Sequence, residues 1–160
     1  MDWFNYYGLI FMSILMIPNI VFAIKCKNGF DGDYHNKFAE ITEQISRYAC
    51  FILMIFNVPY TWTGFWFSRG LTVYLAVNAV LTSAYCVIWI ILWKKSGIVK
   101  ALLLSVLPSS IFVFSGAMIA SIPLLAFAII FAVTHILISV KNVKPANAEN
   151  SKSRGDIEES

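Results

Sequence analysis

Charge-free runs of mainly apolar residues alternate with short polar segments along most of the chain. A helix needs roughly 20 such residues to cross about 30 Å of hydrocarbon. The last run is too long for one crossing and fits two, with a break near Ser115-Gly116 and Pro123 in the first turn of the final helix. The pattern therefore predicts an all-α, polytopic transmembrane helical bundle. Its five predicted spans cover about residues 3–24, 48–68, 71–93, 101–117 and 121–140.

The second span is the least regular, because Asn57, Pro59 and Gly64 interrupt its later half. Two interpretations stay open at this point. The span is either a continuous helix with a proline kink or a helix that unwinds there, which a membrane tolerates only against protein or a wet cavity.

The segment before the second span has a helical period of its own. Phe38, Ile41, Ile45 and Tyr48 share one face, while charged residues occupy the others. This pattern predicts an amphipathic helix over residues 36–47, lying on the inner membrane surface or packed on the bundle as a cytosolic extension.

Basic residues indicate the orientation of the spans. They form three groups, one after the first span, one after the third and one after the last, and only Arg69 lies elsewhere. Basic loops stay in the cytoplasm, so the predicted N-terminus is outside and the C-terminus is cytoplasmic. The polar residues 142–160 lack an apolar period and are predicted to form a disordered cytoplasmic tail.

Composition narrows the class and the partners. Of the 160 residues, 59% are apolar and 13% are charged, too few charges to cover the surface of a soluble domain. A net charge of +3 gives no reason to expect nucleic acid. The expected location is the cell inner (cytoplasmic) membrane, as a multi-pass protein. The expected partners are the lipid bilayer and either another membrane protein or a second copy of the chain.

The third span carries a polar and aromatic stripe. Tyr74, Asn78, Thr82 and Tyr85 recur at helical spacing on an otherwise apolar helix, and Trp89 continues the series. The stripe predicts either hydrogen bonds between helices or the wall of a ligand cavity. Tyr74, Asn78, Thr82 and Tyr85 are therefore candidate ligand-binding residues.

His135 joins that candidate set as the one imidazole predicted inside the membrane. It aligns with Phe127, Phe131 and Ser139, so this face of the fifth span should point into the bundle. An ionisable group in a membrane is a functional candidate, and the alternative is a neutral histidine bonded to a neighbouring helix.

Several kinds of chemistry have no support in the sequence. Asp31, Asp33 and His35 alternate like calcium ligands, but Asn36 and Thr42 occupy the positions where a calcium loop needs Gly and Glu. No catalytic or phosphate-binding motif occurs, so no enzyme activity, cofactor or metal is predicted. No Asp, Glu, Lys or Arg lies within a predicted span, which disfavours a classical ion-coupled transporter.

Residues 17–25, 34–37, 55–59 and 135–139 resemble segments of an uncharacterised group of small polytopic membrane proteins of Gram-positive bacteria. The resemblance implies a membrane bundle and no particular activity. The leading expectation is a non-enzymatic protein that binds a small ligand or assists a membrane partner. The alternatives are a small transporter or channel-like protein without a buried carboxylate, and an intramembrane enzyme using His135.

Overall fold

The chain folds into five helices in the computed structural model, which describes residues 4–25, 37–58, 61, 64–93 and 97–142. The described residues contain no β-strand, only an isolated antiparallel bridge between Phe4 and Phe56. The predicted all-α class is confirmed. The helices are α1 (Tyr6–Lys25), α2 (Lys37–Ile55), α3 (Gly70–Ile91), α4 (Ile98–Met118) and α5 (Ile122–Lys141).

Three of the helices, α3, α4 and α5, are long and apolar enough to cross a membrane. In α1 a shorter apolar stretch runs over Tyr6–Val21. Large apolar side chains also cover the outside of the bundle, including Ile90 and Ile122, which are both more than two-thirds exposed. Such a surface is costly in water and favourable in hydrocarbon, as expected of a membrane protein.

The helices form a closed ring in the order α1, α3, α4, α5, α2, with the most extensive contacts between α4 and α5. α1 and α3 run in the same direction, because Asn5 lies next to Tyr74 near their starts and Asn19 next to Tyr85 near their ends. The other neighbours in the ring run antiparallel.

This arrangement gives the bundle two chemically different ends. At the aromatic end, defined by Phe4, Phe56 and Trp66, the start of α1 meets the end of α2 through Asn5 N–H, which donates to Ile55 C=O at 2.7 Å. The Trp66 indole donates to Ala117 C=O at 2.7 Å, so the α4–α5 turn belongs to the same end. The basic end is defined by Lys37, Lys100 and Lys141, which lie at the opposite termini of α2, α4 and α5.

The boundaries of the second helix differ from those predicted. The amphipathic segment and the start of the second predicted span form one helix, Lys37–Ile55, and the described residues from 56 to 69 are not helical. The backbone of Phe56 pairs with Phe4 instead, and the predicted interruption at Pro59 lies outside the described residues. Helix α2 packs along α5 and turns Phe38, Ile41, Ile45 and Tyr48 outward.

The break in the last apolar run lies between Met118 and Ile122, within one residue of the predicted span ends at 117 and 121 and a few residues after Ser115-Gly116. Ala120 adopts φ = 52° just after α4, and Ser121 N–H donates to Gly116 C=O at 2.9 Å. These are the features of a Schellman motif, which satisfies the last carbonyls of a helix. Pro123 then lies in the first turn of α5, where its missing N–H costs nothing. The predicted disordered tail lies outside the described residues, apart from Asn142.

Candidate functional site

The stripe predicted on the third span lies on the inner face of α3. Tyr74, Asn78, Thr82 and Tyr85 are all buried, and so is Trp89 further along the helix. Helical spacing correctly placed them on one face, because an α-helix repeats every 3.6 residues. The contacts of each side chain decide whether that face can bind a ligand.

The half of the stripe near the aromatic end is joined to two other helices. Asn5 Nδ2 of the α1 start donates to the Tyr74 hydroxyl at 3.4 Å, and Asn5 Oδ1 accepts from Gly8 N–H at 3.1 Å. On the other side, the Ser115 hydroxyl of α4 donates to Asn78 Oδ1 at 3.2 Å. Asn78 Nδ2 donates to the Tyr74 carbonyl at 3.0 Å. Both oxygen and nitrogen of the Asn78 amide are therefore already occupied by protein groups.

In the half of the stripe near the basic end, a tyrosine of α3 is again bonded to an asparagine. The Tyr85 hydroxyl donates to Asn19 Oδ1 of α1 at 2.8 Å, and Asn19 Nδ2 donates to Leu15 C=O at 3.1 Å. A tyrosine oxygen buried in an apolar bundle needs such a partner, because the unpaired hydroxyl would lose its hydrogen bonds to water.

Thr82 is the exception in the stripe. It is buried between Asn78 and Tyr85 along α3, and its hydroxyl is the one buried side-chain polar atom in the described part of the chain that has no hydrogen-bond partner. A helical threonine commonly donates to the carbonyl one turn earlier, which here is that of Asn78. Among the stripe residues, Thr82 is therefore the one whose side-chain polar atom has no hydrogen-bond partner.

His135 does not join the α3 stripe but faces α2. Its Nδ1 lies 3.0 Å from Oε1 of Glu43, a residue that is 5% exposed. The imidazole stacks on Phe131 one turn earlier in α5, with ring centroids 4.8 Å apart and planes inclined by 16°. This face of α5 therefore points into the bundle, which is the direction that the sequence predicts.

Arg47 completes a three-residue cluster with Glu43 and His135. Its Nη2 donates to the same Oε1 of Glu43 that faces His135, and its guanidinium carbon lies 6.0 Å from the centroid of the Phe131 ring. A carboxylate buried among apolar helices costs several kcal/mol unless it is paired and hydrogen-bonded. Arg47 and His135 both supply that pairing.

The i,i+4 spacing of Glu43 and Arg47 indicates their ion pair, but sequence reasoning missed the burial of Glu43 and its contact with His135, because it puts both residues on the polar faces of a surface helix. One signal in the sequence does point to it. Glu43, Ser46, Cys50 and Met54 recur at helical spacing opposite the outward apolar face of α2, and all four are buried. An apolar outer face together with buried polar residues such as Glu43 and Ser46 is typical of a helix in a bundle surrounded by lipid.

The residues that the structure describes offer no candidate site for a metal ion. They contain no group of three or more His, Cys, Asp or Glu side chains placed to hold an ion. The alternating Asp31, Asp33 and His35 lie outside the described residues.

Comparison of the chain with protein-family models, with curated proteins and with solved structures finds no match. The resemblance to small membrane proteins of Gram-positive bacteria stays a prediction. Inference about the function therefore depends on the geometry of the bundle.

Proposed function

We propose that this chain is a non-enzymatic protein of the bacterial inner membrane that crosses the bilayer five times, with its N-terminus outside and its C-terminus in the cytoplasm. The support comes from α2, whose outward face carries Phe38, Ile41, Ile45 and Ile52, all more than half exposed. Those side chains suit contact with lipid tails along the whole helix. The helix termini at Lys25, Lys37, Lys100 and Lys141 share one end of the bundle, which fits the positive-inside rule.

Accessibility of single cysteines tests whether α2 crosses. In a chain lacking Cys26, Cys50 and Cys86, Ser68→Cys at the aromatic end should react with a membrane-impermeant thiol reagent added to intact cells. Lys37→Cys at the basic end should react only after the membrane is opened. Labelling of both positions from the same side would contradict the crossing, and a reporter fused after Ser160 that is external would contradict the orientation.

We infer that the protein assists a membrane partner rather than binding a small ligand. The observation that carries this inference is the occupied interior. Asn78, Tyr74 and Tyr85 each bond a residue from another helix, so most of the polar stripe already holds the bundle together. Among the described residues, the outer surface of the helices remains available to contact a partner.

The outer face of α3 is the place to test for that partner. Thr72, Ala76, Ala79 and Ser83 share this face, opposite the buried stripe, and all are exposed. Small residues on a membrane helix allow close approach of another helix. A photo-crosslinking residue at position 79 should therefore give one protein adduct in membranes, and Ala76→Leu should remove it.

Ala126 on α5 provides the matched control, because it is also an exposed alanine on an apolar helix. A crosslinker there should give lipid adducts alone. The protein captured at position 79 must then bind the purified chain in lipid nanodiscs and fail to bind the Ala76→Leu variant. Adducts that are the same at both positions, or a product of twice the chain mass, would contradict a heterologous partner on this face.

A proton-coupled transporter is the second candidate function, and one observation favours it. The sequence disfavoured ion coupling because no carboxylate lay in a predicted span, whereas α2 brings the buried Glu43 into the bundle. Purified protein in liposomes loaded with a pH-sensitive dye tests this candidate. It predicts a proton flux that Glu43→Gln abolishes, and the absence of any flux from the wild-type protein would contradict it.

A further inference from the structure

A guanidinium and an imidazole share one oxygen atom inside the bundle. Oε1 of Glu43 accepts from Arg47 Nη2 and faces His135 Nδ1 at 3.0 Å. The histidine is four-fifths buried and the glutamate more deeply so. With a neutral imidazole the cluster has no net charge, because the Arg47 guanidinium balances the Glu43 carboxylate.

The chemistry of the acceptor assigns the tautomer of His135. An ionised carboxylate only accepts hydrogen bonds, so the proton in its bond to the imidazole belongs to Nδ1. Nε2 of the neutral ring is then the basic nitrogen. Phe131 covers one face of the imidazole and limits how the ring can turn away from Glu43.

In the part of the chain that the structure describes, few other charges lie near the cluster. From α3, Tyr85 interacts electrostatically with Arg47 across the bundle and is itself bonded to the uncharged Asn19 of α1. Helix α4, which packs against both α2 and α5, has no charged residue beyond its first turn. The other charged residues of the five helices all lie nearer the basic end: Lys25, Lys37, Glu40, Lys100 and Lys141.

We propose that the Glu43, Arg47 and His135 cluster is a proton-binding site, in which Nε2 of His135 takes up the proton and the Glu43 carboxylate holds the resulting imidazolium. One proton adds to the neutral ring, and the net charge of the cluster rises from zero to +1. The imidazolium and the guanidinium then repel each other while bonded to the same oxygen. The link between α2 and α5 therefore depends on pH. This site is independent of the proposed docking role on the outer face of α3.

Nuclear magnetic resonance of the imidazole nitrogens tests the site directly. The sample is the full chain in lipid nanodiscs with His35→Gln, so that His135 is the sole histidine. As the pH is lowered, Nε2 should change from an unprotonated to a protonated nitrogen while Nδ1 keeps its proton. An unprotonated Nδ1 at high pH, or an Nε2 that does not titrate, would overturn the proposal.

Charge variants separate a proton site from a structural contact, because two of them act in opposite directions. Glu43→Gln should lower the proton affinity of His135 by about tenfold or more, since the ring loses its anion. Arg47→Gln should raise that affinity by about tenfold, since the competing cation is gone. Arg47→Lys keeps the charge and should change the affinity little.

Arg69→Gln is the matched control, because it removes a cation from the exposed aromatic end. It should leave the titration of His135 unchanged. Shifts of the same sign for the Glu43 and Arg47 variants would show that His135 responds to unfolding rather than to charge. If Glu43→Gln does not fold, the wild-type tautomer and the Arg47→Gln shift still decide the question. The titration needs no proton flux, so its result is separate from the transport assay.

Discussion

Ser115 on α4 donates a hydrogen bond of 3.2 Å to Asn78 on α3, and both side chains are fully buried. Lipid offers no replacement partner, so the bond should contribute to the association of the two helices. Ser115→Ala should lower the free energy of unfolding in detergent micelles by about 0.6–2 kcal/mol. Ser110→Ala is the control, because that hydroxyl bonds only Val106 C=O of its own helix. Equal losses for the two variants would contradict a specific contribution from the Asn78 bond.

Gly8 on α1 should not tolerate a methyl group. A β-carbon there would overlap the carbonyl oxygen of Met54 on α2 and lie 3.0 Å from Asn5 Nδ2. Alanine ordinarily stabilises a helix by about 1 kcal/mol relative to glycine. We expect Gly8→Ala to reverse that sign and to lower the melting temperature, because α1 must move away from α2.

Ser13→Ala, at an exposed position of the same helix, is the comparison for Gly8→Ala. It should leave the melting temperature nearly unchanged. A Gly8→Ala protein as stable as wild type would mean that α1 and α2 are not in close contact at this point.

Substitution of Thr82, whose hydroxyl has no hydrogen-bond partner, tests whether the interior is filled by protein or contains a ligand cavity. Thr82→Val keeps the shape and removes a buried group that has no hydrogen bond. It should raise the free energy of unfolding by about 1 kcal/mol, because the desolvation cost of the hydroxyl disappears. Thr82→Ser keeps the hydroxyl and loses a methyl group, so it should be destabilising. A valine variant less stable than wild type would show that the hydroxyl has a partner, which is the Asn78 carbonyl, a water molecule or a ligand.

Ala120 occupies a backbone conformation that favours glycine. At φ = 52° an alanine costs about 1–2 kcal/mol, because its β-carbon approaches a carbonyl oxygen. Ala120→Gly should therefore raise the free energy of unfolding by about 1 kcal/mol. Ala126→Gly, inside the exposed face of α5, should lower it by a similar amount. The same sign for both substitutions in a thermal melt would contradict the left-handed conformation.

Some features of this protein follow from local pattern. The all-α class, the inward face of α3 and the place of Pro123 all depend on spacing or on the chemistry of single residues. An α-helix repeats every 3.6 residues wherever it lies, so the burial of Tyr74, Asn78, Thr82 and Tyr85 could be predicted without knowing their partners. The α4–α5 break was predicted near Ser115-Gly116 and lies at Ile119–Ser121, because the Schellman bonds that end α4 depend on backbone geometry.

The pairing of side chains needed the tertiary structure. Nothing in the order of residues places Glu43 next to His135, 92 positions further along the chain, until α2 is known to pack on α5. The apolar positions, the helical faces that they form and the places where charges concentrate all follow from neighbours along the chain. The inward direction of Glu43 and the hydrogen bond from Ser115 to Asn78 do not, because helix packing sets which faces meet and hydrogen bonds reach only about 3 Å.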